Sequence, residues 1–235
     1  MAVFSQPTSI TVRAQAKDAK FIGTSRGGAQ IIIRNERTGE ILAKGITSGS
    51  TGNTEKIMNS PQVRYETITD ENTAGFTADL ELTEPIFVTV EAYAPQLKKQ
   101  AAVTSSTQLW LIPGKNIDGE GLILEIPGFV VDILSPQTHE GFSAANEIEL
   151  KANVVMMCGC PTSPDGIWDA NQFEVKALIT SDTGNSKEVV LEYAGKKSTF
   201  MAKTTLAKGY YNLAIYAYDP RTGNTGLDQT ALIVE

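Results

Sequence analysis

Histidine and cysteine are scarce in this chain: among 235 residues there is one histidine, His139, and there are two cysteines, Cys158 and Cys160. One histidine excludes a zinc site with several imidazole ligands, and any Ser–His–Asp triad would have to run through it. His139 lies in Ser135-Pro136-Gln137-Thr138-His139-Glu140-Gly141, a polar turn where an exposed loop histidine is the plain reading beside a general base. The G-x-S-x-G elbow, the P-loop, H-E-x-x-H and G-x-G-x-x-G are all missing. Paired carboxylates such as Asp70-Glu71 sit in polar sequence, where nothing drives their pKa values apart. No enzyme is expected.

Positive charge and long apolar runs are lacking as well. The net charge is −7, the wrong sign for a nucleic-acid binder, which gathers Lys and Arg into a patch. The doubled lysines Lys98-Lys99 and Lys196-Lys197 read as solvated strand edges or turns. No stretch approaches the ~18 apolar residues of a membrane span, and an acidic surface gains nothing from anionic lipid. No apolar segment follows Met1 in the manner of a secretory leader. The chain is therefore either cytosolic or the mature form of an exported protein.

What is present is a short alternating run, repeated, each closed by Gly, Pro, Asn or Asp. At 41% hydrophobic residues and 20% charged, the chain has apolar side chains enough for two modest cores. Ile10, Val12, Ala14 and Ala16 alternate with Thr11, Arg13, Gln15 and Lys17. Ile31-Ile32-Ile33 and Ile41-Leu42-Ala43 flank the turn Asn35–Gly39, and Phe76 to Leu82 and Ile86 to Val90 follow. In the second half Ile148 to Met156, Phe173 to Ile179, Val189 to Tyr193, Tyr211 to Ala217 and Gln229 to Val234 repeat the pattern. Such spacing predicts an all-β protein of sandwich type. Residues 53–75 are polar, carry Pro61, and predict a long loop with one short element. Pro127-Gly128 and Ser135-Pro136 bracket a rigid boundary, placed at 129/130.

Two resemblances sharpen this. Gly28 to Ile33, Thr38 to Thr47, Gly75 to Leu80 and Val88 to Ala92 resemble the transthyretin-like, carboxypeptidase-regulatory β-sandwich, with residues 48–74 as an insertion. The second half, through Ile133 to Pro136, Gly209 to Leu213, Ala217 to Asp219, Gly223 to Gly226 and Ala231 to Val234, resembles bacterial immunoglobulin-like modules. The resemblances imply two consecutive antiparallel β-sandwich domains, 1–129 transthyretin-like and 130–235 immunoglobulin-like, with Tyr211 as the tyrosine-corner residue. Both families are mostly accessory modules of exported or cell-envelope proteins, so a periplasmic or extracellular location is expected.

Val154-Val155-Met156-Met157-Cys158-Gly159-Cys160-Pro161 is the one chemical signal. On a strand Met156, Cys158 and Cys160 share a face, and thioether and thiolate sulfurs select Cu(I). Strand neighbours two apart are about 6.6 Å apart, while sulfurs on one metal sit roughly 4 Å apart, so Gly159 and Pro161 have to bend the chain. His139 is the further candidate ligand. Two readings compete: the sulfurs continue the core, or Cys158 and Cys160 form a local disulfide with redox activity. Asp219, Asn224 and Asp228 are oxygen-bearing and flank a glycine turn, where turn chemistry is the simpler account than calcium. Trp168, in the Pro-rich loop that follows, is either a core plug or a contact residue for a partner. The expected function is a non-catalytic binding or structural module pair presenting loops to a protein or glycan, with a soft-metal or thiol-redox protein as the alternative.

Overall fold

The computed structural model describes residues 4–138, 140–144 and 146–235. The chain is all-β and divides into two compact units, Met1–Ile126 and Pro127–Glu235. The division falls three residues before the expected 129/130. Pro127 and Gly128 go with the second unit, where the Gly128 amide donates to Asn224 Oδ1 at 2.7 Å.

Among its described residues the first unit has seven strands: β1 (Gln6–Ala16), β2 (Gln30–Asn35), β3 (Ile41–Ile46), β4 (Phe76–Leu82), β5 (Ile86–Ala94), β6 (Val103–Leu111) and β7 (Ile117–Ile126). They form two sheets, ordered β4-β1-β7 and β3-β2-β5-β6. Alternation selects the core: Ile10, Val12 and Ala14 of β1 face Ile31, Ile33, Val88 and Val90 of β2 and β5, all at or near zero exposure. The β2–β3 turn is built by Asn35, whose Oδ1 accepts from the amides of Arg37 (3.0 Å) and Thr38 (3.2 Å). The expectation of antiparallel sheets meets one exception here. β1 pairs antiparallel with β4 but parallel with β7, because the first and seventh strands of the unit run the same way when placed side by side.

The insertion at 48–74 is tied to β1 at its C-terminal end, through Arg13, and to the segment after β1 by the Phe21 amide, which donates to the Thr51 carbonyl at 3.2 Å. Its regular element is one turn of π-helix, Glu55–Asn59, held through buried Ile57 and a Lys56 Nζ bond to the Thr69 carbonyl at 3.3 Å.

The second unit contains β8 (Phe129–Ser135), β9 (Glu140–Phe142), β10 (Ile148–Met156), β11 (Glu174–Ser181), β12 (Ser186–Val190), β13 (Glu192–Tyr193), β14 (Thr199–Thr204), β15 (Gly209–Tyr218) and β16 (Thr225–Val234). Its sheets are ordered β13-β14-β10-β8 and β12-β11-β15-β16-β9. With β8, β10, β11, β13, β14, β15 and β16 as strands A, B, C, D, E, F and G, this is the immunoglobulin layout, ABED against CFG. β9 adds a parallel edge to β16, and β12 extends the other side. Val189 to Tyr193 reads as one strand in sequence but is two. Leu191 is buried and its amide donates to the Val175 carbonyl at 2.8 Å, so the chain leaves one sheet there and joins the other.

Candidate functional site

The exposed aromatic residue of greatest consequence is Trp110, and sequence reasoning missed it. β5 and β6 pair antiparallel over nine residues without a bulge, which sets Trp110 opposite Phe87 on the outer face of the sheet. The ring centroids lie 5.1 Å apart at 45°, yet Trp110 remains 60% exposed. A Trp side chain carries enough apolar area that this exposure leaves on the order of 2–4 kcal/mol of burial unrealised. Beside the rings is a cleft of about 140 Å³ lined by Asn35, Arg37, Glu84, Pro85 and Ile86. The Arg37–Glu84 ion pair, 3.5 Å, forms its exposed wall. Along the same face the cross-strand pairs are Gln108 with Thr89, Ser106 with Glu91 and Thr104 with Tyr93. Gln108 Nε2 donates to Thr89 Oγ1 at 3.1 Å, and the Thr89 hydroxyl donates to the Glu36 carboxylate. An aromatic platform thus continues into a ladder of hydroxyl, amide and carboxylate groups. The available signal was Val103 to Leu111 itself, nine residues free of Gly, Pro and charge that include Val103, Thr104, Thr107 and Trp110.

A second exposed aromatic, Tyr65, stands at 87% exposure on the insertion with positive φ (70°), a backbone region few aromatic residues occupy. The Arg64 guanidinium lies 4.6 Å from its ring centroid. Arg13 fastens the C-terminal end of this insertion. The sequence places it among the outward residues of β1, and it does point outward, but it is 8% exposed because Thr73, Ala74, Gly119 and Glu120 close over it. Its guanidinium donates to the carbonyls of Thr73, Ala74 (3.1 Å), Gly119 (3.3 Å) and Glu120 (3.1 Å). Burial pushes its pKa down while Glu120 and Asp70 pull it back up, and the group stays charged. Glu120 Oε1 accepts from the Ile68 amide at 2.7 Å. The Asp70 carboxyl is held below the usual carboxylate range, first by the Thr73 hydroxyl and then by backbone amides.

The sulfur cluster is not a strand face. β10 ends at Met156, and Met157, Cys158 and Gly159 form a three-residue hairpin loop between Met156 and Cys160. The Gly159 amide donates to the Met156 carbonyl (2.7 Å), the Met156 amide to the Cys160 carbonyl (3.1 Å), and Gly159 takes φ 82°. The loop lets Cys158 and Cys160 join in a disulfide with Cα atoms 5.5 Å apart. Met156, Cys158 and Cys160 are all buried. A disulfide offers no thiolate, so Cu(I) coordination requires the reduced pair. His139 lies outside the described residues. Among the described residues no three His, Cys, Asp or Glu side chains converge.

Of the two roles weighed for Trp168, burial favours the core plug and removes the contact residue. Trp168 is 7% exposed and cannot serve as an open contact residue for a partner. Ser163 and Asp169 bridge the base of its loop, and the Ser163 amide donates to the Trp168 carbonyl at 3.2 Å, folding the indole under. Asp169 caps the next 3-10 turn through the Asn171 amide, which with the Asp165 amide lowers its pKa. Asp219, Asn224 and Asp228 are spent on turn and strand chemistry. Asp219 accepts from the Arg221 amide (3.0 Å) and Thr222 hydroxyl (2.9 Å), and Asp228 Oδ2 from the Ile133 amide (2.8 Å).

No family model matches the chain, and no curated protein matches it. Solved structures do. The Clostridium thermocellum CbhA fibronectin(III)-like modules match at 12% identity over 88% of this chain and 77% of theirs, with TM-score 0.33. A tetra-tandem repeat from the extending region of a large adhesion protein matches at 14% identity over 98% of this chain and 49% of its own, with TM-score 0.31. An I-band fragment of titin matches at 15% identity over 100% of this chain and 66% of its own, with TM-score 0.29. These scores are too low to carry an argument, and the immunoglobulin-like assignment of the second unit rests on its strand order.

Proposed function

We propose that this chain is a non-catalytic binding module whose first unit holds a glycan on the outer face of β5 and β6. The observation that carries the reading is Trp110, 60% exposed, braced on Phe87 and followed by a ladder of hydroxyl, amide and carboxylate side chains. A sugar ring presents an apolar C–H face and a rim of hydroxyls. An indole matches the first, and Gln108, Ser106 and Glu91 match the second. A protein partner is less well matched, because hot-spot aromatics normally sit within a wider apolar surround, and the neighbours along these strands are polar. The binding surface is a sheet face rather than the loops expected from sequence. A transthyretin-like first unit fits this reading: β1 lies between β4 and β7 rather than beside β2, which is not the immunoglobulin order. An exported protein would meet such glycans, in keeping with the expected periplasmic or extracellular location.

The test is fluorescence titration with a panel of neutral oligo- and polysaccharides. The two tryptophans divide the signal, since Trp110 is open and Trp168 buried. A ligand should perturb the emission of Trp168→Phe protein and bind Trp110→Ala protein at least tenfold more weakly. Binding that survives Trp110→Ala unchanged, or no binding across the panel, defeats the proposal.

A further inference from the structure

Sheet edges are pairing hazards, and proteins guard them with charge, proline, bulges or short length. The first unit guards three of its four. β3 carries Lys44 and a register shift against β2. β4 carries Asp79 at its centre, which would meet its own copy in an antiparallel self-pairing. β7 carries Glu120 and a register shift against β1. In the second unit β8 has Asp132 and β12 has Glu188, each at its centre, while β9 and β13 are only three and two residues long. β6 has none of these devices. It ends its sheet, runs nine residues as Val-Thr-Ser-Ser-Thr-Gln-Leu-Trp-Leu without charge, proline or glycine, and keeps unbroken register with β5.

The burial along β6 points the same way. Its neighbour β5 buries Val88, Val90 and Ala92 completely. The equivalent inward residues of β6, Val103, Ser105, Thr107 and Leu109, are only half-buried, so the core is unfinished at this edge. An added strand would cover them and satisfy the backbone N–H and C=O groups that face away from β5.

We propose that β6 is a self-association edge, pairing antiparallel with β6 of a second copy of this chain about a dyad at Thr107. That register uses all nine residues. It sets Thr107 opposite Thr107, Ser106 opposite Gln108, Ser105 opposite Leu109, Thr104 opposite Trp110 and Val103 opposite Leu111. No charge meets a like charge, whereas self-pairing of β4, β8 or β12 in the same manner opposes Asp79, Asp132 or Glu188 to itself. Threonine pairs and aromatic–threonine pairs are favourable across strands, and the two four-stranded sheets become one of eight. The two Trp110 platforms then stand roughly 20 Å apart along the strand direction. The pairing itself does not depend on what those platforms bind.

Sedimentation velocity on the full chain over a concentration series tests this, with circular dichroism confirming that each variant is folded. The wild type should show a reversible monomer–dimer equilibrium. Ser106 and Gln108 point outward, so Ser106→Lys with Gln108→Lys should leave the fold intact while opposing lysines twice across the dyad. Its dissociation constant should rise about tenfold or more. Ser106→Lys with Gln108→Glu sets opposite charges face to face and should return the equilibrium to near the wild-type value, which fixes the register. A wild type that stays monomeric up to about 1 mM overturns the proposal, as does a dimer indifferent to the paired lysines. Failure of the Lys/Glu variant to recover overturns the Thr107 register.

Discussion

The hydroxyl of Tyr211 donates to the carbonyl of Ala207 at 2.9 Å, tying the start of β15 to the turn that precedes it. This is the tyrosine corner of immunoglobulin-like sandwiches, and Gly209, at φ 157°, brings the chain past the ring. Tyr211→Phe keeps the ring and removes the bond. It should lower the stability of the second unit by about 0.5–1.5 kcal/mol. Urea unfolding of Trp110→Phe protein, in which Trp168 alone reports, should show a lower midpoint with an unchanged slope.

Arg13 should govern the order of the insertion. Arg13→Ala strips four carbonyls of their donor and removes the guanidinium charge that acts on Glu120 and Asp70, leaving Asp70 with Lys56. The expected cost is about 2–4 kcal/mol. Hydrogen exchange at residues 66–75 should accelerate more than in the core strands β2 and β5. Arg13→Lys should recover only part of the loss, since a single ammonium cannot reproduce the guanidinium fork.

Acid should loosen the same segment. The folded-state pKa of Asp70 is lowered, chiefly by the Thr73 hydroxyl, so its contribution is fully present above the unfolded carboxyl value near 3.9. It is lost as pH falls through the lower folded value. Limited proteolysis with an acid-active protease should find residues 66–75 protected at pH 5 and increasingly cut below pH 4. In Asp70→Asn protein the protection at pH 5 should already be reduced, and this component of the pH dependence should vanish.

Thiol titration of native protein should find no free thiols, and two after unfolding in reductant, as the Cys158–Cys160 disulfide requires. The hairpin also has its own hydrogen bonds, and the covalent loop is very short. Cys158→Ser with Cys160→Ser should therefore cost roughly 1–2 kcal/mol and leave the fold intact. Cu(I) competition against a chelator under anaerobic conditions addresses the soft-metal alternative. Oxidised protein should not compete, and tight binding retained by the double serine variant would remove these sulfurs as ligands.

Acrylamide should quench Trp168→Phe protein, where Trp110 reports, far more strongly than Trp110→Phe protein. Equal quenching would contradict the exposure of one indole and the burial of the other.

Local periodicity was enough for much of this fold. Ile148, Leu150, Ala152 and Val154 alternate because one face of β10 is buried, and that alternation is visible in any nine-residue window. The tyrosine corner and the Asp219 turn were likewise legible, since their hydrogen bonds span only two to four residues. β6 was not, because its inward positions include Ser105 and Thr107 and its alternation carries little apolar contrast. The break at Leu191 was hidden inside an unbroken run, Val189 to Tyr193.

Sequence alone therefore determined that the chain is a series of short strands closed by turns, with an acidic balance of charge. Tertiary structure decided which strand borders which, and with it which tryptophan faces water. Trp168 is folded under by a bridge between Ser163 and Asp169, while Trp110 is held outward on an edge strand by its register with β5. Side-chain alternation is a property of neighbouring residues, but cover is supplied by partners distant in the chain, so the exposed face could be found only once those partners were in place.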